Sequence, residues 1–141
     1  METAALKRPA VDIEEDIREF IRSYDPVKQA VHHFSYTVDD DGHVVLTGNV
    51  RSVQARRVLV DNIPDIPGVI SLDNRAFFDD ETLRLEVGKL LPRGVMTRVN
   101  FGHATLYGMM PEGANLDDVM AAVKNHPGIH GVDTQFQEIT A

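Results

Sequence analysis

The 141-residue chain has no cysteine, which excludes disulfide frameworks, thiolate nucleophiles and cysteine-bound zinc together and leaves the redox compartment open. No apolar run approaches the ~20 residues that cross a membrane. The opening "METAALKRPAVDIEED" carries two basic residues with no apolar stretch behind them, so it does not read as a signal peptide. The expectation is a cytoplasmic protein as written, or a periplasmic one where a leader has been removed. Basic residues are in deficit, with seven against twelve acidic ones in 11–78 and five against nine in 79–141, which with +1 on residues 1–10 gives a net charge of −8. Such a surface excludes nucleic acid as a favoured partner.

Serine is scarce as well. Ser23, Ser35, Ser52 and Ser71 are the only ones, none in a strand-to-helix elbow, and no glycine-rich loop is placed to cradle a phosphate. Carboxylates are plentiful, but their runs fall at helix caps and turns, where those roles account for them. No nucleophile, base and orienting acid can be assembled, so no enzyme and no cofactor is expected.

What the chain does have is itself, twice. "GHVVLTG" from Gly42 is answered by "GHATLYG" from Gly102, and "PGVISLD" from Pro67 by "PGIHGVD" from Pro127, each pair 60 residues apart (102 − 42 and 127 − 67). One offset shared by two separate motifs points to duplication. A unit of this size buries only roughly 60% of the surface its unfolded chain exposes. Packing of the units on each other, or oligomerisation, is therefore expected.

Each half reads helix, strand, strand, helix, strand. Ile13, Ile17, Phe20, Ile21 and Tyr24 recur at helical spacing, with Asp12 and Glu15 placed as a capping box. Leu83, Val87, Leu90 and Leu91 repeat that spacing after Asp79 and Asp80. "FSYTVDDDGHVVLTGNV" and "VMTRVNFGHATLYGMM" read as hairpins. Ser52 and Asn115 are N-cap candidates for helices with Ala55, Val58 and Leu59, and with Leu116, Val119, Met120 and Val123, on their apolar faces. "VISLDNRAFF" and "IHGVDTQFQE" close the halves as strands. The first half is ten residues longer, in "SYDPVKQAVHHF".

This pattern resembles the BON domain, named for bacterial osmotic-shock and nodulation proteins. "DGHVVLTGNV" with "IPGVISLDN" carries the resemblance, and "FGHATLYGMM" with "HPGIHGVDT" carries it more loosely, over residues 11 to about 137. It implies an α+β fold of two tandem αββαβ units, each a three-stranded mixed sheet with two helices packed on one face. The division is a flexible tail at 1–10, a first unit at 11–78 and a second at 79–138. Gly42 and Gly102 would permit the hairpin turns, and Gly48 and Gly108 would let a strand leave its ladder. Pro67-Gly68 and Pro127-Gly128 would stop a helix before a strand. The function implied is a non-catalytic module in stress response or envelope maintenance, associating with phospholipid, envelope proteins or other domains.

Arg51, Arg56 and Arg57 form the one local basic cluster, a candidate patch for an anionic phospholipid or an acidic protein partner, or else a solvated face neutralised by Asp61 and Asp65. "LRLEVGKLLPRGVM", with Lys89 and Arg93, reads as buried core, a dimer surface or an interfacial helix. Met109 and Met110 read as core. The histidines do not converge: His126 and His130 are separated by Pro127 and Gly128, His32 and His33 would point to opposite sides of a strand, and His43 and His103 are repeat positions. "DDDG" at Asp39 to Gly42 fails as a calcium loop, because its first and twelfth positions would be Thr37 and Gly48. Three readings stand: a peripheral phospholipid or envelope binder, a protein-interaction or homo-oligomerising module, and a sensor of a small ligand or cation in a cleft between the units.

Overall fold

The computed structural model describes residues 7–136. α1 (Ala10–Ser23) buries Ile13, Ile17 and Ile21 on one face. It begins earlier than the Asp12–Glu15 capping box requires: Pro9, with φ fixed near the helical value, is the N-cap and its carbonyl accepts from Asp12 N–H at 3.0 Å. Asp12 therefore acts on the helix dipole from inside the first turn rather than as a cap. Residues 1–6 of the expected tail lie outside the described residues. Arg8, from its last part, donates to Asp16 at 2.6 Å and to the Pro67 carbonyl at 2.9 Å.

The extra ten residues of the first half contain a short helix, α2 (Asp25–Lys28), opened by Pro26. It places Val27 and Ala30 in the core. β1 (Phe34–Val38) and β2 (His43–Val50) pair antiparallel from Phe34↔Gly48 to Val38↔Val44. In their turn Asp39 accepts from the N–H groups of Asp41 and His43 at 2.9 Å, and the His43 bond above all holds its carboxyl below the usual value. α3 (Val53–Asn62) is capped by Ser52, whose Oγ accepts from Ala55 N–H at 3.0 Å. A single 3₁₀ turn follows, and β3 (Ser71–Asp79) lies parallel to β2.

β3 carries one extra residue between the partners of Val45 and Thr47. That bulge folds Arg75 back on Asp73, with Nη2 at 2.8 Å, Nε at 3.0 Å and the backbone N–H at 3.1 Å from its carboxylate, which lowers the Asp73 carboxyl to about 2. A carbon-detected NMR titration should find Asp73 near that value, and Arg75→Ala should return it towards 3.8. The folded value is depressed, so any stabilisation exists above the ordinary carboxylate value and is lost as pH falls towards 2. For so exposed a pair the effect on unfolding should be negligible.

The second half repeats the order: α4 (Asp80–Gly88), β4 (Val95–Asn100), β5 (His103–Gly108), α5 (Leu116–Lys124) and β6 (Gly131–Phe136). Its sheet has the order β4-β5-β6, matching β1-β2-β3, with one antiparallel and one parallel pair in each. Asn115 caps α5 through Asp118 N–H at 3.2 Å. The conserved offset between hairpin turn and Pro-Gly turn has a direct cause. The two turns bond each other, Gly42 O accepting from Ile70 N–H and Gly102 O from His130 N–H, both at 2.8 Å.

β2 leaves the β1 ladder at Gly48, as β5 leaves that of β4 at Gly108, but β2 does not end there and continues to Val50 against β3. Two expectations change. α4 ends at Gly88, so Leu90 is exposed rather than on a buried stripe. Met109 is 48% exposed and Met110 only half-buried. Among the described residues the second half also lacks a counterpart of α2. Leu91, Met110, Val119 and Phe136 are half-buried where their equivalents Ile21, Val50, Leu59 and Phe77 are fully buried.

Candidate functional site

The units join without a linker, because β3 pairs with β2 as far as Val50↔Asp79 and Asp80 opens α4. Both acids are buried. Asp79 caps α4, accepting from Thr82 N–H at 2.7 Å and from its hydroxyl at 3.0 Å. Asp80 reaches the β4–β5 turn, where its two oxygens accept from Phe101 N–H at 2.7 Å and Gly102 N–H at 3.0 Å. Phe101 has φ +48°, a left-handed conformation that aims successive N–H groups at one anion. Burial pushes the Asp80 carboxyl above its usual value, outweighing those two bonds and the pull of Arg51.

The turn that Asp80 holds is pressed against the first unit. The Phe101 ring stacks on His33, with centroids 3.6 Å apart and planes 7° off parallel, and Arg51 lies 5.4 Å from its centre. Phe101 packs against the first core, and Phe78 at the end of β3 packs against the second. Each unit thus lends one ring to the other. Between them Asn49 is buried, its Nδ2 donating to Gly128 O at 3.2 Å and its Oδ1 accepting from His130 Nε2 at 2.5 Å. Gly128 fits by having no side chain: a Cβ there would come within 2.6 Å of Leu83 and 2.8 Å of the Phe78 ring. These groups fill the joint on this side, while a separate cavity between the units is lined by Arg56, Phe77 and Phe78 from the first and by Thr82, Leu83 and Glu86 from the second.

The basic residues singled out in the sequence do not form one patch. Arg51 is committed to Phe101 at the joint, and Arg56 donates from Nε to Phe77 O at 2.9 Å with its guanidinium 5.7 Å from that ring. Arg57 is exposed on α3, while Lys89 and Arg93 are exposed beyond the end of α4 in the other unit. Asp61 and Asp65 neutralise none of the arginines through an ion pair among the described residues.

Four histidines have one side-chain partner each: His43 with Ser71 at 2.6 Å, His103 with Asp133 at 2.8 Å, His126 with Glu86 at 2.5 Å, and His130 with Asn49. The Nδ1 of His126 also accepts from Gly128 N–H, so the ring's Nε2 carries the proton it gives Glu86. Among the described residues no group of three or more His, Asp or Glu side chains is placed to hold a metal ion. Sequence reasoning missed Asn49, Asp80, Phe78 and Phe101. The available signal was their divergence, since at the offset of 60 Asn49 and Phe101 face Met109 and Asp41.

The family model of the BON domain matches residues 10–76. This segment is a BON domain. The second unit repeats the BON topology strand for strand. Among solved structures, the C-terminal domain of CdsD, "the structural protein of the Type III secretion system of Chlamydia trachomatis", superposes with a TM-score of 0.65 at 15% identity. The match covers 86% of this chain and 63% of that one, so this chain spans less than two thirds of its length. At that identity the likeness shows the fold alone. A second CdsD structure, at 12% identity and a TM-score of 0.38 over 89% of this chain and 91% of that one, adds nothing to it. No curated protein matches the sequence. The BON family is one of non-enzymatic domains, and among the described residues no helix is long and apolar enough to cross a membrane.

Proposed function

We propose that the protein is a non-catalytic binding module that works by docking a protein partner, its two αββαβ units acting together. The observation that carries this reading is the apolar surface of the second unit. Leu85, Leu90, Met96 and Met109 are all between 45% and 64% exposed on a chain of net charge −8. Leu85, Met96 and Met109 line hollows on either side of β4, and exposed apolar side chains grouped in this way on a polar protein are a docking feature. The CdsD likeness supports the reading only so far as the same fold serves a structural protein of a secretion system.

A second reading is peripheral binding to anionic phospholipid in envelope maintenance or stress response. It draws on the family's character and on Lys89 and Arg93, exposed beside Leu90. It is weakened by the engagement of Arg51 with the Phe101 ring and of Arg56 with Phe77. Light scattering over a concentration range, with and without liposomes of anionic lipid, separates the two. Protein docking predicts no transfer to liposomes at physiological salt. Salt-sensitive transfer that is lost in Lys89→Glu/Arg93→Glu would replace it with the membrane reading.

A further inference from the structure

The duplication supplies a control for every surface residue. Because Phe34↔Gly48 and Val95↔Gly108 open the two ladders in the same register, Ser35 and Thr47 correspond to Met96 and Tyr107. At the helical offset of 70 (83 − 13), Glu14 and Glu15 correspond to Arg84 and Leu85. In the first unit these positions are polar, and the Ser35 and Thr47 hydroxyls bond each other at 3.1 Å. The same backbone is built without apolar residues there, so the fold does not require them. In the second unit Leu85 is 64% and Met96 52% exposed.

Those residues line two adjoining hollows beside β4 that share Met96 and Tyr107 and together form the β4 groove. On the helix side it runs between Leu85, Leu91 and Val95, and over the strand it passes Met96 and Tyr107 to reach Met109 on the outer face of the sheet. Among the described residues β4 is an edge strand that pairs only with β5. Every second backbone N–H and C=O therefore points away from the sheet, a template for one more strand. Arg84 lines the helix side of the groove and Arg98 the outer side, the latter held 4.8 Å from the centre of the Tyr107 ring and bonded to Gln135 at 2.7 Å. Four of the second unit's five basic residues, Arg84, Lys89, Arg93 and Arg98, fall within this stretch of an otherwise acidic chain.

We propose that the free edge of β4 takes an extended, acidic segment of a partner protein as a fourth strand. Backbone bonds to the edge supply affinity, and alternate side chains of the segment enter the two sides of the groove. Charge selects the occupant: acidic side chains meet Arg84 and Arg98, whereas a second copy paired through the same edge would bring two basic edges together. This inference rests on the protein-docking reading and names its surface.

The test uses the full chain with a short synthetic peptide of alternating glutamate and valine, and its lysine–valine counterpart. The acidic peptide should shift the Met96 and Met109 methyl resonances and slow hydrogen exchange of the β4 amides, and the basic peptide should bind about tenfold more weakly or worse. Leu85→Glu, Met96→Ser and Tyr107→Thr together install the first unit's residues. They should abolish the β4 response while the remaining amide spectrum stays folded. Equal binding of both peptides, no response of β4, a β4 response to anionic vesicles instead, or a dimer that the triple swap dissociates would each overturn the proposal. A mass that rises with concentration and ignores the swap would overturn it while leaving protein docking intact.

Discussion

Asp80→Ala is expected to lower the unfolding free energy by about 3 kcal/mol, because it strips the acceptor from two backbone N–H groups, each costing ~1–3 kcal/mol when left unpaired. Those groups belong to Phe101 and Gly102, and Gly102 is buried. The loss should also loosen the turn that carries Phe101 against His33 and Arg51, so His33 and Asn49 resonances should shift although Asp80 hydrogen-bonds to neither. Asp80→Asn keeps an acceptor for one of the two N–H groups and removes the buried charge, so it should cost about 1 kcal/mol. Urea unfolding of both variants measures this, and equal losses would show that the charge, rather than the accepted bonds, is what matters.

The same residue sets a pH dependence of definite sign. The folded-state carboxyl is raised above its ordinary value. Between the ordinary and the raised value the folded chain therefore holds a proton that the unfolded chain has released. Stability from this group is full below the unfolded value and falls as pH rises through the folded one. Asp80→Asn should flatten that segment of the stability profile.

Gly48→Ala should be at least as damaging, at about 3 kcal/mol or more. Gly48 has φ +112°, and a Cβ would overlap the carbonyl oxygen of His33 and lie 2.5 Å from Phe34 Cα. Both obstacles are backbone, and the same carbonyl already accepts from Asn49 N–H at 2.8 Å. Neither can yield without parting β1 from β2. Gly113→Ala is the control: φ is +86° but nothing lies within 4 Å, so only the conformational strain of ~1–2 kcal/mol should appear. If the two substitutions cost the same in denaturant unfolding, steric closeness at Gly48 plays no part.

Several features were legible in the sequence because they are local or periodic. Ser52 and Asn115 cap the helices expected of them, since a cap needs only a side-chain oxygen and an N–H three residues on. The hairpins are closed at Gly42 and Gly102 because a tight turn leaves few residue types to choose from. Capping failed at Asp12 because Pro9 offered an earlier start that the apolar spacing alone does not exclude. α2 stayed hidden because four residues are too few to show a helical period, and Val27 and Ala30 become core only once α1 and α3 are in place.

The arginine cluster shows the other limit. Arg51, Arg56 and Arg57 are neighbours in the chain, yet one contacts the second unit, one the edge of the first core and one is exposed on α3. Adjacency in sequence does not say which way a side chain turns.

By itself the sequence determined the duplicated αββαβ order and most of the turns and caps that hold it, because each follows from spacing within a few residues or from the constant offset of 60. Tertiary structure alone decided the joint and the free edge. Asn49 meets Gly128 and His130 across 79 and 81 residues of chain. The groove on β4 exists because two units of one design were covered differently. Such contacts depend on how finished elements pack, and no short-range pattern encodes that.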